Sequence, residues 1–126
     1  MEAKAQTLKK YICNTFSLSM VGLENGKKGL IAIEEISKEQ FCKAIKDKDI
    51  INALGHQGTV DIINSLCGTN FSVNRIEIKL YPSDIIYVLQ IMVRLPEGKV
   101  LNAQEMEELY SQGKIRFFKV YYYQQL

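Results

Sequence analysis

Tryptophan is missing from this chain, proline occurs only twice and histidine only once. The three cysteines, Cys13, Cys42 and Cys67, are scattered, with no CxxC pair and no Cys/His cluster. That argues against a structural zinc site, and no metal and no cofactor are expected. An odd cysteine count, with an N-terminus (Met1-Glu2-Ala3-Lys4) too polar for a secretion signal, points to a reducing cytoplasm. No apolar run is long enough to span a membrane. Neither charge dominates: 16 Lys and Arg oppose 14 Asp and Glu, for a net charge of +2. So near a balance argues against tracking a long nucleic acid, but not against a small ligand carrying a few phosphates. There is no internal repeat, low-complexity tract or linker. A chain of 126 residues that is 47% hydrophobic and 24% charged makes one domain with a real core.

What is present centres on Gly55-His56-Gln57-Gly58-Thr59. The residues after it, Val60 to Cys67, have the apolar spacing of a short amphipathic helix, which Gly68 can close in the left-handed conformation. The glycine-flanked turn brings the sole histidine to the helix start. There the first backbone N–H groups are unpaired and the dipole favours an anion. Gly55 and Gly58 allow a phosphate close to the backbone, and Thr59 offers a hydroxyl. The segment therefore combines an anion cradle with a group that titrates near neutral pH. A histidine before a helix is, however, more often a capping residue than a catalyst.

In chain order, residues 1–9 read as a polar extension and residues 10–126 as the domain. Lys10 to Phe16 is a strand. Asn14, Ser17 and Ser19 follow at its end, a place that suits ligand contacts and turn-forming polar residues equally. Asn25-Gly26 marks a turn, and Leu30–Ile36 a strand. Ser37 and Gln40 form a capping box for a helix to Lys46. Ile50–Leu54 reads as one more helical turn. Arg75–Leu80 alternates strictly, as a half-buried strand does. Ile85–Leu95 is nearly all apolar and reads as a central strand. Gln90 and Arg94 interrupt it on one face, about 13 Å apart at ~3.3 Å per residue; an exposed salt bridge is the alternative for Arg94. Asn102 and Glu105 cap the last helix, closed by Gly113. Arg116–Tyr123 is the last strand, its tyrosines packing along a sheet edge in preference to stacking on bases. The result is an α+β domain with one mixed five-stranded sheet flanked by helices.

Several runs in this chain resemble one family. They are Asp49-Ile50-Ile51-Asn52, Gly55-His56, Ile62 to Thr69, Asn74 to Lys79, Arg94-Leu95-Pro96-Glu97-Gly98-Lys99 and Leu109 to Lys114. Their order and spacing are similar to the viral type III anti-CRISPR ring nucleases over roughly residues 10–121. The resemblance implies a homodimer that binds cyclic tetra-adenylate in a cleft across the two-fold axis. It implies metal-independent cleavage to linear products ending in 2′,3′-cyclic phosphate, which silences type III CRISPR signalling. His56 then matches the general acid, and Arg94 and Glu97 match the Arg-Leu-x-Glu-Gly motif, with Pro96 at its variable position. Glu97 would raise the His56 pKa, orient His56 or orient the 2′-OH. Asn14, Ser17, Ser19, Arg75 and Gln90 are candidates for holding phosphates and adenines. Two other readings remain: a non-catalytic sponge for a cyclic nucleotide, and a DNA- or host-protein-binding module of a mobile element.

Overall fold

In the computed structural model, which describes residues 8–94 and 100–126, local sequence signals set the helices and long-range pairing sets the sheet. The strands are β1 (Lys10–Cys13), β2 (Gly29–Ile36), β3 (Ile51–Asn52), β4 (Ile85–Ile91) and β5 (Ile115–Gln125). The helices are α1 (Lys38–Ile45), α2 (Gln57–Cys67) and α3 (Ala103–Ser111). Both capping boxes form: the Ser37 hydroxyl accepts from the Gln40 N–H, and the Asn102 side chain accepts from the Glu105 N–H. Gly68 closes α2 with φ of 65°, a left-handed conformation that glycine adopts without steric cost.

The fold is α+β, with one mixed sheet in the order β2-β5-β4-β1-β3. β1 runs parallel to both β3 and β4, whereas β5 is antiparallel to β2 and β4. All three helices cover one face. There Phe41, Ile45, Val60, Ile63 and Met106 pack on Ile12, Tyr87, Leu89, Ile115 and Phe117. The opposite face carries Tyr11, Cys13, Ile86, Val88, Val120 and Tyr122. Among the described residues no α-helix covers it; the irregular segment bearing Ile78 and Leu80 does so in part, with Met20 packed beside them.

Five strands form among the described residues, but not the five the sequence suggests. Residues 75–79 make no strand; only Leu80 forms a lone bridge, to Val21. The alternation there serves a plug: Ile78 and Leu80 are 3% and 0% exposed, while Ile76 stays 42% exposed. The fifth strand is β3, in a stretch that reads as a helical turn. It pairs Ile51 with Tyr11 and Asn52 with Ile12, and the Ala53 N–H then donates to the Ile12 carbonyl. β4 stops at Ile91, short of Leu95, and the Met92 N–H turns to the Lys114 carbonyl. Arg94 is therefore exposed beyond the strand and does not share a strand face with half-buried Gln90. β5 lies between β2 and β4, so the three tyrosines are not on a sheet edge, and Tyr122 is fully buried.

The cysteines also differ from expectation. Cys42 of α1 and Cys67, the last residue of α2, form a disulfide, leaving buried Cys13 as the free thiol. The odd count concealed one pair and one spare. Inside cells such bonds are rare outside hyperthermophiles, so the cysteine count does not by itself support a reducing compartment.

Candidate functional site at the start of helix α2

Because β1, β3 and β4 run parallel, their C-terminal ends lie along one margin of the sheet. Asn14 follows β1, Gly55 and His56 follow β3, and Gln90 lies at the end of β4. Ligands of open sheets that contain parallel strands commonly bind outside such ends.

His56 is the N-cap residue of α2, in extended conformation with φ of −132° and ψ of 122°. Its side chain makes no capping hydrogen bond, and the first turn of α2 holds no acidic residue. The Val60 N–H donates to the His56 carbonyl, so the N–H groups of Gln57, Gly58 and Thr59 precede the first intrahelical bond. The exposed imidazole folds over Gly58. A Cβ at Gly58 would lie 3.3 Å from both Cε1 and Nδ1 of His56, so glycine leaves room for the ring.

The residue before His56 is gripped on both sides of its backbone. The Gly55 N–H donates to Asn14 Oδ1 at 3.1 Å, and Arg75 Nε donates to the Gly55 carbonyl at 2.9 Å. A Cβ at Gly55 would come within 3.2 Å of Arg75 Cγ, so glycine also permits this close approach. Asn14 Nδ2 and the terminal guanidinium nitrogens of Arg75 have no partner among the described residues. Donors therefore gather around an uncapped helix start, an arrangement that can take a phosphate.

The structure brings His56, Gly55, Gly58, Asn14 and Arg75 together. Thr59, the third residue of α2, is 4% exposed. Ser17 and Ser19 stand on the loop after β1, their hydroxyls hydrogen-bonded to each other at 2.7 Å. Gln90 lies in a shallow groove on the helix-free sheet face, with Phe16, Ile33, Val88, Phe118 and Val120. Arg94 is exposed at the margin of the described chain. Pro96, Glu97 and the rest of residues 95–99, like residues 1–7 of the N-terminal extension, lie outside the described residues.

Two residues important to this corner are not among the candidate site residues read from the sequence. Asn52 Nδ2 donates to the Ser72 carbonyl at 2.7 Å, and Asn74 Nδ2 to the Asn52 carbonyl at 2.8 Å. Both join segments some 20 residues apart, which no local pattern reveals.

The STIV B116-like family profile matches residues 10–118. The uncharacterized protein ORF116 of Acidianus filamentous virus 1 is 35% identical over 112 residues, 89% of this chain and 91% of that protein. The uncharacterized protein 26 of Sulfolobus islandicus filamentous virus is 30% identical over 100 residues, 79% of this chain and 82% of that one. Among solved structures, B116 of Sulfolobus turreted icosahedral virus is similar with a TM-score of 0.78 at 37% identity. That match covers 90% of this chain and 99% of the other.

Proposed function

Since the chain belongs to the STIV B116-like family of small archaeal-virus proteins, we propose that it binds cyclic tetra-adenylate as a homodimer and cleaves it without a metal ion. The observation that carries this reading is the uncapped start of α2, with the His56 ring over it and the donors of Asn14 and Arg75 beside it. Metal-free cleavage of RNA uses the ribose 2′-OH as its nucleophile. The 2′-oxygen bonds to phosphorus as its proton passes to solvent water, the bond from phosphorus to the 5′-oxygen breaks, and a 2′,3′-cyclic phosphate remains. His56 in its protonated form supplies the proton that the departing 5′-oxygen needs. The negative charge that gathers on phosphorus is met by the N–H groups of α2 and by Arg75. The motif resemblance also assigns Arg94 and Glu97 to this reaction.

A dimer is supported by the helix-free sheet face, where Ile33 is 62% exposed beside half-buried Phe16 and Phe118. A two-fold dimer would present two equivalent His56 sites to a ring of matching symmetry.

The test is to incubate the protein in EDTA with cyclic tetra-adenylate in excess and to separate the products. Linear di-adenylate ending in a cyclic phosphate, formed beyond one equivalent per dimer, supports the proposal. Stoichiometric binding without products would make the protein a sponge, and no binding would refute both.

A further inference from the structure

The corner that carries His56 is held by side chains more than by strand pairing. β3 is only two residues long, and after it the chain must reach the helix start without a ladder. The irregular segment 72–75 runs beside residues 52–55 and is fastened to it at four points. Asn52 Nδ2 donates to the Ser72 carbonyl, and Asn74 Nδ2 donates to the Asn52 carbonyl. The Asn74 N–H donates to the Leu54 carbonyl at 2.7 Å, and Arg75 Nε to the Gly55 carbonyl. Asn52 Oδ1 also accepts from the Leu54 N–H at 2.9 Å, which fixes the turn from within. The 72–75 segment is itself tied back to α2. Asn64 donates through Nδ2 to the Phe71 carbonyl and accepts the Phe71 N–H at 2.8 Å.

We infer that Asn52, Asn74 and Arg75 form a polar zipper whose task is to fix the backbone of Leu54 and Gly55, and so to aim the His56 imidazole at its substrate. Asn52 and Asn74 are positioning residues; Arg75 adds this task to its contact with the phosphate. Asn52 is committed to backbone groups through both Nδ2 and Oδ1, and Asn74 through Nδ2. Arg75 acts through Nε and keeps its terminal nitrogens for a phosphate. The kinetic consequence rests on the cleavage reading above, but the mechanical one does not. A small error in aim is costly: displacement by about 1 Å can lower a rate on the order of 10²-fold.

The test uses the full-length protein and the Asn74→Ala and Arg75→Lys variants. Arg75→Lys keeps the cation but loses the planar Nε donor. Arg75 is solvent-exposed, so this variant folds even if Asn74→Ala does not. Backbone relaxation by NMR needs no ligand. The His56 amide should be rigid in the wild type, with an order parameter of about 0.85, and fall below about 0.6 in either folded variant. In single-turnover cleavage of cyclic tetra-adenylate, Asn74→Ala should slow by about ten- to a hundredfold, with Kd changed by less than about threefold; Arg75→Lys, which also alters the phosphate-facing nitrogens, is read by the amide alone. A His56 amide that stays rigid in Arg75→Lys overturns the inference. So does, in Asn74→Ala, a rate loss matched by an equal loss of binding. If the wild type does not cleave the ring, the proposed function fails and the amide measurement alone decides the zipper.

Discussion

The three helices of this protein start in two different ways. α1 and α3 begin with complete capping boxes and an acidic residue in the first turn, Glu39 and Glu105 respectively. α2 has neither: its N-cap is His56, with no capping bond and no acidic residue in the first turn. Yet α2 is the best secured of the three at its other end. Cys67 is bonded to Cys42, Gly68 turns the chain, and Asn64 holds the loop that follows. A helix so carefully closed at one end and left open at the other is arranged for stability everywhere but at the point where an anion can enter. Sequences that agree with their fold at every other level tend to break local rules where function needs it.

Removing the histidine should have the largest effect. His56→Ala is expected to lower single-turnover cleavage of cyclic tetra-adenylate by about 10²–10⁴-fold, while the ring still binds in a direct titration. Normal cleavage by this variant would mean that the open start of α2 is not the catalytic one.

Next comes the closed end of α2. Cys42→Ser, or reduction of the wild type, opens a link between residues 25 apart in sequence. It should cost about 3 kcal/mol, or about 10 °C in Tm, read by thermal unfolding with and without reductant. An unchanged Tm would show that α1 and α2 are held by packing alone.

The caps themselves sharpen the contrast. Asn102→Ala should destabilise the protein by about 1 kcal/mol in denaturant titration and leave cleavage unchanged. His56→Asp should do the reverse, giving α2 the cap it lacks and gaining up to about 1 kcal/mol while abolishing cleavage. If His56→Asp brings no gain, the start of α2 is satisfied in some other way.

The smallest effect lies just past the end of α1. The Asp47 carboxyl is held below its ordinary pKa by the Asp49 N–H and then by Lys10, whose Nζ is 2.9 Å away. A carboxylate with a depressed folded pKa stabilises above its unfolded value, and that contribution is lost as pH falls through the folded one. The Tm difference between wild type and Asp47→Asn should therefore be present at neutral pH and shrink below about pH 4. The pair lies at the surface, half-buried, and water still screens it, so the difference is small.

How much of this was legible in the sequence follows from the range of each interaction. The capping boxes at Ser37 and Asn102, the glycine stop at Gly68 and the Gly-His corner are written within a few residues, and each formed. The strand expected at residues 75–80 failed because alternation reports only which side chains are buried. Ile78 and Leu80 are buried as plugs over the helix-free face, without a neighbouring ladder. β3 was hidden because two residues leave no period. The Cys42–Cys67 bond and the Asn52–Asn74 contacts join distant segments, so spacing could not show them. At the site, His56 stood out by its glycines. Asn14 and Arg75 could be named only as candidates, because their shared hold on Gly55 spans 41 and 20 residues.

The most direct test of the central claim is an NMR titration of the His56→Ala protein with cyclic tetra-adenylate, which that variant should bind without cleaving. The backbone amides of Gln57, Gly58 and Thr59 should shift strongly, while those at the capped starts of α1 and α3 stay in place. Binding that leaves the α2 amides unmoved, or that moves all three helix starts alike, would contradict the assignment of this helix start as the phosphate site.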